Sequence, residues 1–145
     1  MPLDPQARSL LELIATLNLP ELGTVPVEQS RRLGAQRRAA LPPGPAADVA
    51  DYALSGPRGD RLLRLYKPLG ASAPLPLLLW FHGGGWVLGS VVESDVDCRQ
   101  LTLQSGCAVL SVDYSLAPEH PYPTAVDECY AALEWAFANA ARLGV

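Results

Sequence analysis

The sequence predicts an α/β protein with a mostly parallel sheet, and three observations carry that prediction. Two largely apolar pentads, the uninterrupted Leu77–Phe81 and Ala108–Val112 with its single Ser111, flank a polar stretch that carries helix start and stop signals. A second helical pattern follows the second pentad, and a pair of shorter alternating segments precedes the first. Continuous apolar runs suit strands covered on both faces, and a strand–helix–strand–helix succession is the signature of a parallel sheet.

The elements follow in order. Residues 5 to about 19 predict a short amphipathic helix, because Leu10, Leu13, Ile14 and Leu17 share one face at helical spacing. A weaker helical pattern covers Val27 to Ala40, and Leu41-Pro42-Pro43-Gly44-Pro45 then breaks the chain. Residues 1–46 therefore read as a separate helical segment and 47–145 as a second unit. Asp48–Ser55 and Arg61–Tyr66 alternate as strands around Gly56-Pro57-Arg58-Gly59, which predicts an antiparallel hairpin. Between the two pentads, Ser94 with Asp97 at the capping-box offset starts a helix and Gly106 stops it. Thr124 and Asp127 repeat the box, and Val126, Tyr130, Leu133 and Phe137 continue at helical spacing toward Gly144.

Composition limits the function. With 145 residues, 49% of them hydrophobic and 18% charged, the chain has material for one globular core. The net charge of −4 and the lack of a basic stripe argue against nucleic acid. The one basic cluster, Arg31-Arg32 with Arg37-Arg38, is expected to be a solvated helix face. Cys98, Cys107 and Cys129 lack metal-ligand spacing, which predicts reduced, half-buried thiols in a cytoplasmic protein and no metal site. No signal peptide is expected, because Asp4 and Glu12 break up the N-terminal apolar stretch, and no run is long enough to span a bilayer.

His82-Gly83-Gly84-Gly85, directly after a buried strand, is the segment that carries chemistry. Glycine destabilises regular structure by about 0.5–1 kcal/mol relative to alanine, and in return the backbone can turn freely and approach a ligand closely. In acyl transfer the tetrahedral intermediate places negative charge on the former carbonyl oxygen. Each backbone N–H aimed at that oxygen contributes about 2.7–4 kcal/mol. A phosphate loop does not fit, because Gly83, Gly85 and Gly89 give G-x-G-x-x-x-G and no Walker sequence occurs.

Together with a second block, Ser111-Val112-Asp113-Tyr114-Ser115-Leu116-Ala117-Pro118-Glu119-His120-Pro121-Tyr122-Pro123-Thr124-Ala125, the segment Trp80-Phe81-His82-Gly83-Gly84-Gly85-Trp86 resembles the hormone-sensitive-lipase family of α/β-hydrolases. The resemblance covers residues from about 48 to 145. It implies an α/β-hydrolase fold with an N-terminal helical cap segment. It also implies hydrolysis of short- or medium-chain carboxylic esters by a Ser-His-Asp mechanism, with no cofactor and a small-molecule ester as partner. On that basis Gly83 and Gly84 donate to the oxyanion, His82 and Gly85 support the loop, and Trp86 shapes the substrate pocket. Asp113, Tyr114 and Glu119 hold the second loop beside the site. Members commonly carry Arg where Ser115 stands, so an ion pair is expected to be missing there.

No G-x-S-x-G elbow occurs in the sequence. The resemblance orders the triad as serine, acid, histidine, all after the oxyanion loop, so neither His82 nor His120 is expected to be the base. The chain thus reads as an N-terminal portion, truncated before the elbow and inactive alone. The family's strand order would leave the first pentad as an open edge. Poor solubility follows, with the C-terminal half or oligomer contacts needed for stability. The alternatives are a non-catalytic, receptor-like ligand-binding member of the same fold and an inactive fragment.

Overall fold

The computed structural model describes residues 2–17, 23–72 and 74–145. Along the chain run α1 (Pro5–Thr16), α2 (Val27–Ala40), β1 (Asp48–Leu54), β2 (Arg61–Lys67), β3 (Leu77–Phe81), α3 (Asp95–Ser105), β4 (Ala108–Val112), α4 (Thr124–Ala138) and α5 (Ala140–Leu143). The end of the first predicted helix, residues 18 and 19, lies outside the described residues. The strands form one sheet in the order β1-β2-β4-β3. β1 and β2 are the expected antiparallel hairpin, with Asp48 opposite Lys67. β2 also pairs antiparallel with β4, whereas β3 pairs parallel with it, Leu77 opposite Ala108 and Phe81 opposite Val112.

The sheet is therefore mixed, which corrects the expectation of a mostly parallel one. The hairpin's second strand inserts directly beside β4, so β3–β4 is the parallel pair among the described strands. β4 is buried along its whole length, as its apolar run predicts. β3 is only half-buried and ends on the exposed Phe81, because the described strands flank it on one side alone.

The main core joins Leu63, Leu65, Leu110 and Val112 of the sheet to Ala125, Ala132 and Ala136 of α4 and Leu143 of α5. Burying a leucine-sized side chain contributes about 1.5–3 kcal/mol, so these contacts dominate the stability of the sheet–helix layer. Small residues face the sheet on α4. Val126, Tyr130, Leu133 and Phe137, which the helical periodicity marks as the apolar face, are instead 37–77% exposed. Their spacing reveals a real stripe, but this chain covers the alanine face. α4 also ends earlier than expected, at Ala138, and α5 closes on Gly144 at φ 68°.

The helix ends divide the capping predictions. Gly106 takes the left-handed conformation (φ 71°) and donates its N–H to the Thr102 carbonyl, as a C-terminal stop should. The two predicted capping boxes do not form. Ser94 already has helical dihedrals (φ −86°, ψ 0°) with a buried side chain, and Thr124 lies inside the helix it was expected to cap. Asp4 caps α1 instead, accepting from the Gln6 amide at 2.8 Å.

The basic cluster on α2 is likewise not a simple solvated face. Arg32 pairs with Glu28 in solvent, but Arg31 and Arg38, one heptad apart, turn inward. Arg38 reaches the Asp95 carboxylate at 3.6 Å, where Arg99 and the Tyr66 hydroxyl also converge.

Candidate active site

The parallel pair β3–β4 delivers two loops side by side: residues 82–94 after β3 and 113–123 after β4. The first turns sharply on its glycines. The Val87 and Leu88 amides both donate to the Gly84 carbonyl, at 3.1 and 2.9 Å. This turn requires positive φ at Gly84 (130°), Gly85 (61°), Gly89 (94°) and, without the freedom of a glycine, at Trp86 (59°). Space restricts Gly84 and Gly89 further. A β-carbon on Gly84 would stand 2.1 Å from the Leu88 carbonyl oxygen, and one on Gly89 would stand 2.4 Å from both the Gly83 oxygen and His82 Nδ1. A β-carbon on Gly83, by contrast, would meet nothing within 4 Å.

The amides of Gly83, Gly84 and Gly85 donate to no backbone carbonyl among the described residues, and all three residues are exposed. They open onto a cavity of about 460 Å³ lined by Phe81, the glycines, Trp86, Tyr114, Val126 and Cys129. A second, more apolar cavity of similar volume adjoins it at Gly85, Trp86 and Val126 and extends to Tyr122. Trp86 is 64% exposed and borders both.

His82 is 5% exposed, stacks on the Tyr114 ring, and has its Nδ1 2.9 Å from the Gly83 carbonyl oxygen. The second loop grips the first at three further points. The Tyr114 hydroxyl donates to the His82 carbonyl at 2.5 Å, the Asp113 carboxylate accepts from the Val91 amide at 3.0 Å, and the Ala117 amide donates to the Trp86 carbonyl at 2.8 Å. Glu119 lies farther out, on the guanidinium of Arg31 at 2.8 Å. That hydrogen-bonded charge pulls the Glu119 carboxyl down to about 2. Burial pushes the Tyr114 hydroxyl and the Cys129 thiol up, the latter to about 11. His120 lines the second cavity and not the first.

The ion pair expected to be lost at Ser115 is replaced from elsewhere in the chain. Ser115 donates its amide and hydroxyl to Glu128, at 2.7 and 3.0 Å. Arg61 of β2 donates to the Ser115 hydroxyl at 3.0 Å, and Arg58 stands 3.8 Å from the Glu128 carboxylate. Two arginines of the hairpin thus supply positive charge where one from the loop was expected.

A family model described as the α/β-hydrolase fold matches residues 78–145. The whole chain aligns with an arylesterase from Saccharolobus solfataricus at 35% identity, spanning 47% of that relative. The chain has the fold of the α/β-hydrolase family. Within it, 100 residues are 47% identical to a carboxylic ester hydrolase, LipN, of Mycobacterium tuberculosis, covering 68% of this chain and 26% of that one. Among solved structures, an ester hydrolase from the Lake Arreo metagenome superposes with a TM-score of 0.88 at 37% identity, over 99% of this chain and 48% of that one. A hyperthermophilic esterase from Pyrobaculum calidifontis gives 0.84 at 36%, over 100% and 47%. The chain spans about half the length of the relatives that it matches end to end.

Sequence reasoning missed three residues at this α/β-hydrolase site. Gly89 had a signal in its fixed offset from the glycine triplet. Glu128 and Arg31 had none, because their partners lie 13 and 56–88 positions away in sequence. The described residues contain no group of three or more potential metal ligands and no helix long and apolar enough to cross a membrane.

Proposed function

We propose that this chain supplies the oxyanion-hole half of a serine-type carboxylic ester hydrolase acting on small-molecule esters. The observation that carries the proposal is the set of exposed Gly83–Gly85 amides, without backbone partners among the described residues, opening onto the cavity beside Trp86. Attack by a serine on the ester carbonyl would move charge onto the carbonyl oxygen. The Gly83 and Gly84 N–H groups would bind that charge, at about 2.7–4 kcal/mol per donor, in a loop already held in shape. Gly85 and His82 maintain the turn, Trp86 borders the acyl or alcohol group, and Asp113, Tyr114 and Glu119 hold the second loop against the first. No G-x-S-x-G occurs in the 145 residues, so the nucleophile, its acid and its base lie outside them. The names of the relatives support hydrolysis over a receptor-like role.

Residues 1–46 serve as the helical cap segment and 47–145 as the portion of the catalytic domain that bears the loop. Three cysteines without a disulfide fit a reducing, cytoplasmic setting.

The test is a hybrid in which the chain replaces the matching half of the Saccharolobus solfataricus arylesterase. A hybrid with one cooperative melt is expected to hydrolyse p-nitrophenyl butyrate, and the chain alone is not. A folded hybrid without hydrolysis, or hydrolysis by the chain alone, would overturn the proposal.

A further inference from the structure

We infer that Arg31 is a positioning residue for the oxyanion loop, through which α2 sets the geometry of the Gly83–Gly85 amides. The inference rests on the proposed function for its catalytic consequence, though not for its structural one. All three guanidinium nitrogens of Arg31 are engaged. Nε donates to the Val87 carbonyl at 2.9 Å, Nη1 to Glu119 at 2.8 Å, and Nη2 to the Ala117 carbonyl at 2.8 Å and to Glu119 at 2.9 Å. One planar group therefore ties together three parts of the chain: helix α2, the first loop three residues beyond Gly84, and the second loop.

The connection to the amides is short. Val87, whose carbonyl Arg31 holds, donates its own N–H to the Gly84 carbonyl. Ala117, the other carbonyl held, donates its N–H to the Trp86 carbonyl. Arg31 thus closes a ring of hydrogen bonds around Gly84, Trp86, Val87 and Ala117. Only a guanidinium presents donors in a fixed fork that can serve several acceptors at once, so lysine cannot replace it. Glu119 neutralises the charge and fixes the fork's rotation by accepting on both oxygens.

The experiment measures hydrogen exchange of the Val87, Leu88 and Ala117 amides in this chain and in Arg31→Lys, Arg31→Gln and Glu119→Gln, with Arg32→Ala as the control on the solvent side of α2. Arg31→Lys and Arg31→Gln are expected to exchange at least about tenfold faster at these amides, the ratio implied by losing one charge-assisted hydrogen bond. Core amides of β4 and the Arg32→Ala variant should be unchanged. If Arg31→Gln does not fold, Arg31→Lys and Glu119→Gln carry the same comparison. In the arylesterase hybrid, kcat should fall about tenfold with KM within about twofold, because the amides act on the transition state. Unchanged exchange at Val87 and Ala117, or equal acceleration across β4, would overturn the inference. Faster exchange in a hybrid that hydrolyses nothing would leave the positioning intact and sink the esterase reading instead.

Discussion

The rings of His82 and Tyr114 stack 4.2 Å apart with their planes 12° from parallel, and the Tyr114 hydroxyl donates to the His82 carbonyl at 2.5 Å. These two contacts hold the buried His82, 5% exposed, against the second loop. Tyr114→Phe keeps the stack and removes the hydroxyl, leaving a buried carbonyl without its donor. A loss of about 1–3 kcal/mol is expected in urea denaturation, with the fold retained. No change in midpoint would show that the hydrogen bond is dispensable.

The glycines should separate by geometry. Gly84→Ala drives a methyl into the Leu88 carbonyl, and Gly89→Ala drives one between His82 and the Gly83 carbonyl; both sites also need positive φ. Gly83→Ala meets no atom. In the arylesterase hybrid, the first two substitutions should lower kcat by about a hundredfold or more, the scale of losing one oxyanion donor, while Gly83→Ala keeps a native melt. Equal activity losses with equal stability losses across all three would contradict the steric account.

The fold was legible wherever local pattern and tertiary role agreed. β3 and β4 span the two apolar pentads, and α2 keeps its predicted limits, because continuous apolar runs and proline breaks act locally. The α4 face was not legible. Periodicity finds a stripe such as Val126, Tyr130, Leu133 and Phe137 but cannot say which side of the helix meets the sheet, and here the close approach is made by Ala125, Ala132 and Ala136. At the site, the glycine triplet and the second loop were readable from motif alone. Arg31 was not, because on composition it belongs to an ordinary basic helix face, and only the tertiary structure brings Val87, Ala117 and Glu119 to it.

Glu119 offers a pH prediction. Its folded pKa, about 2, lies below its ordinary 4.5 because Arg31 donates to the carboxylate. A depressed carboxyl contributes stability that is fully present above the ordinary value and is lost as pH falls through the folded one. The Arg31–Glu119 contact should therefore persist at pH 4.5 and break as pH falls toward about 2. Carbon-detected NMR of the Glu119 carboxyl should show a midpoint near 2 that moves back toward 4.5 in Arg31→Gln. A midpoint that ignores Arg31 would refute the assignment.

Glu128 is the anchor of the hairpin side. Its carboxylate accepts twice from Ser115 and faces Arg58, with only 12% of its side chain exposed. Glu128→Ala leaves the Ser115 amide without an acceptor beside two arginines, and should cost about 1.5–3 kcal/mol in denaturation. Arg58→Ala, at the more exposed end of the pair, should cost less than about 1 kcal/mol. The reverse order would mean that charge, not hydrogen bonding, holds this corner.

The exposed stripe of α4 bears on solubility. Tyr130 is 61% and Phe137 77% exposed, on the same molecule as the edge strand β3. The chain is expected to self-associate at micromolar concentration, and Tyr130→Lys with Phe137→Lys to reduce light scattering while changing stability by no more than about 0.5 kcal/mol. A monodisperse wild-type chain would count against this.

The fork of Arg31 has an engineering consequence. The hydrogen bonds described at the glycine turn, from the Arg31 guanidinium to the Tyr114 hydroxyl and the Ala117 amide, are contributed by residues 31–119 of a single chain. That stretch is expected to act as a transplantable cassette in a scaffold that supplies its own counterpart of α4. Moved whole into a related scaffold, it would carry its amide geometry with it. A graft of the three glycines alone would leave behind the tether that aims them.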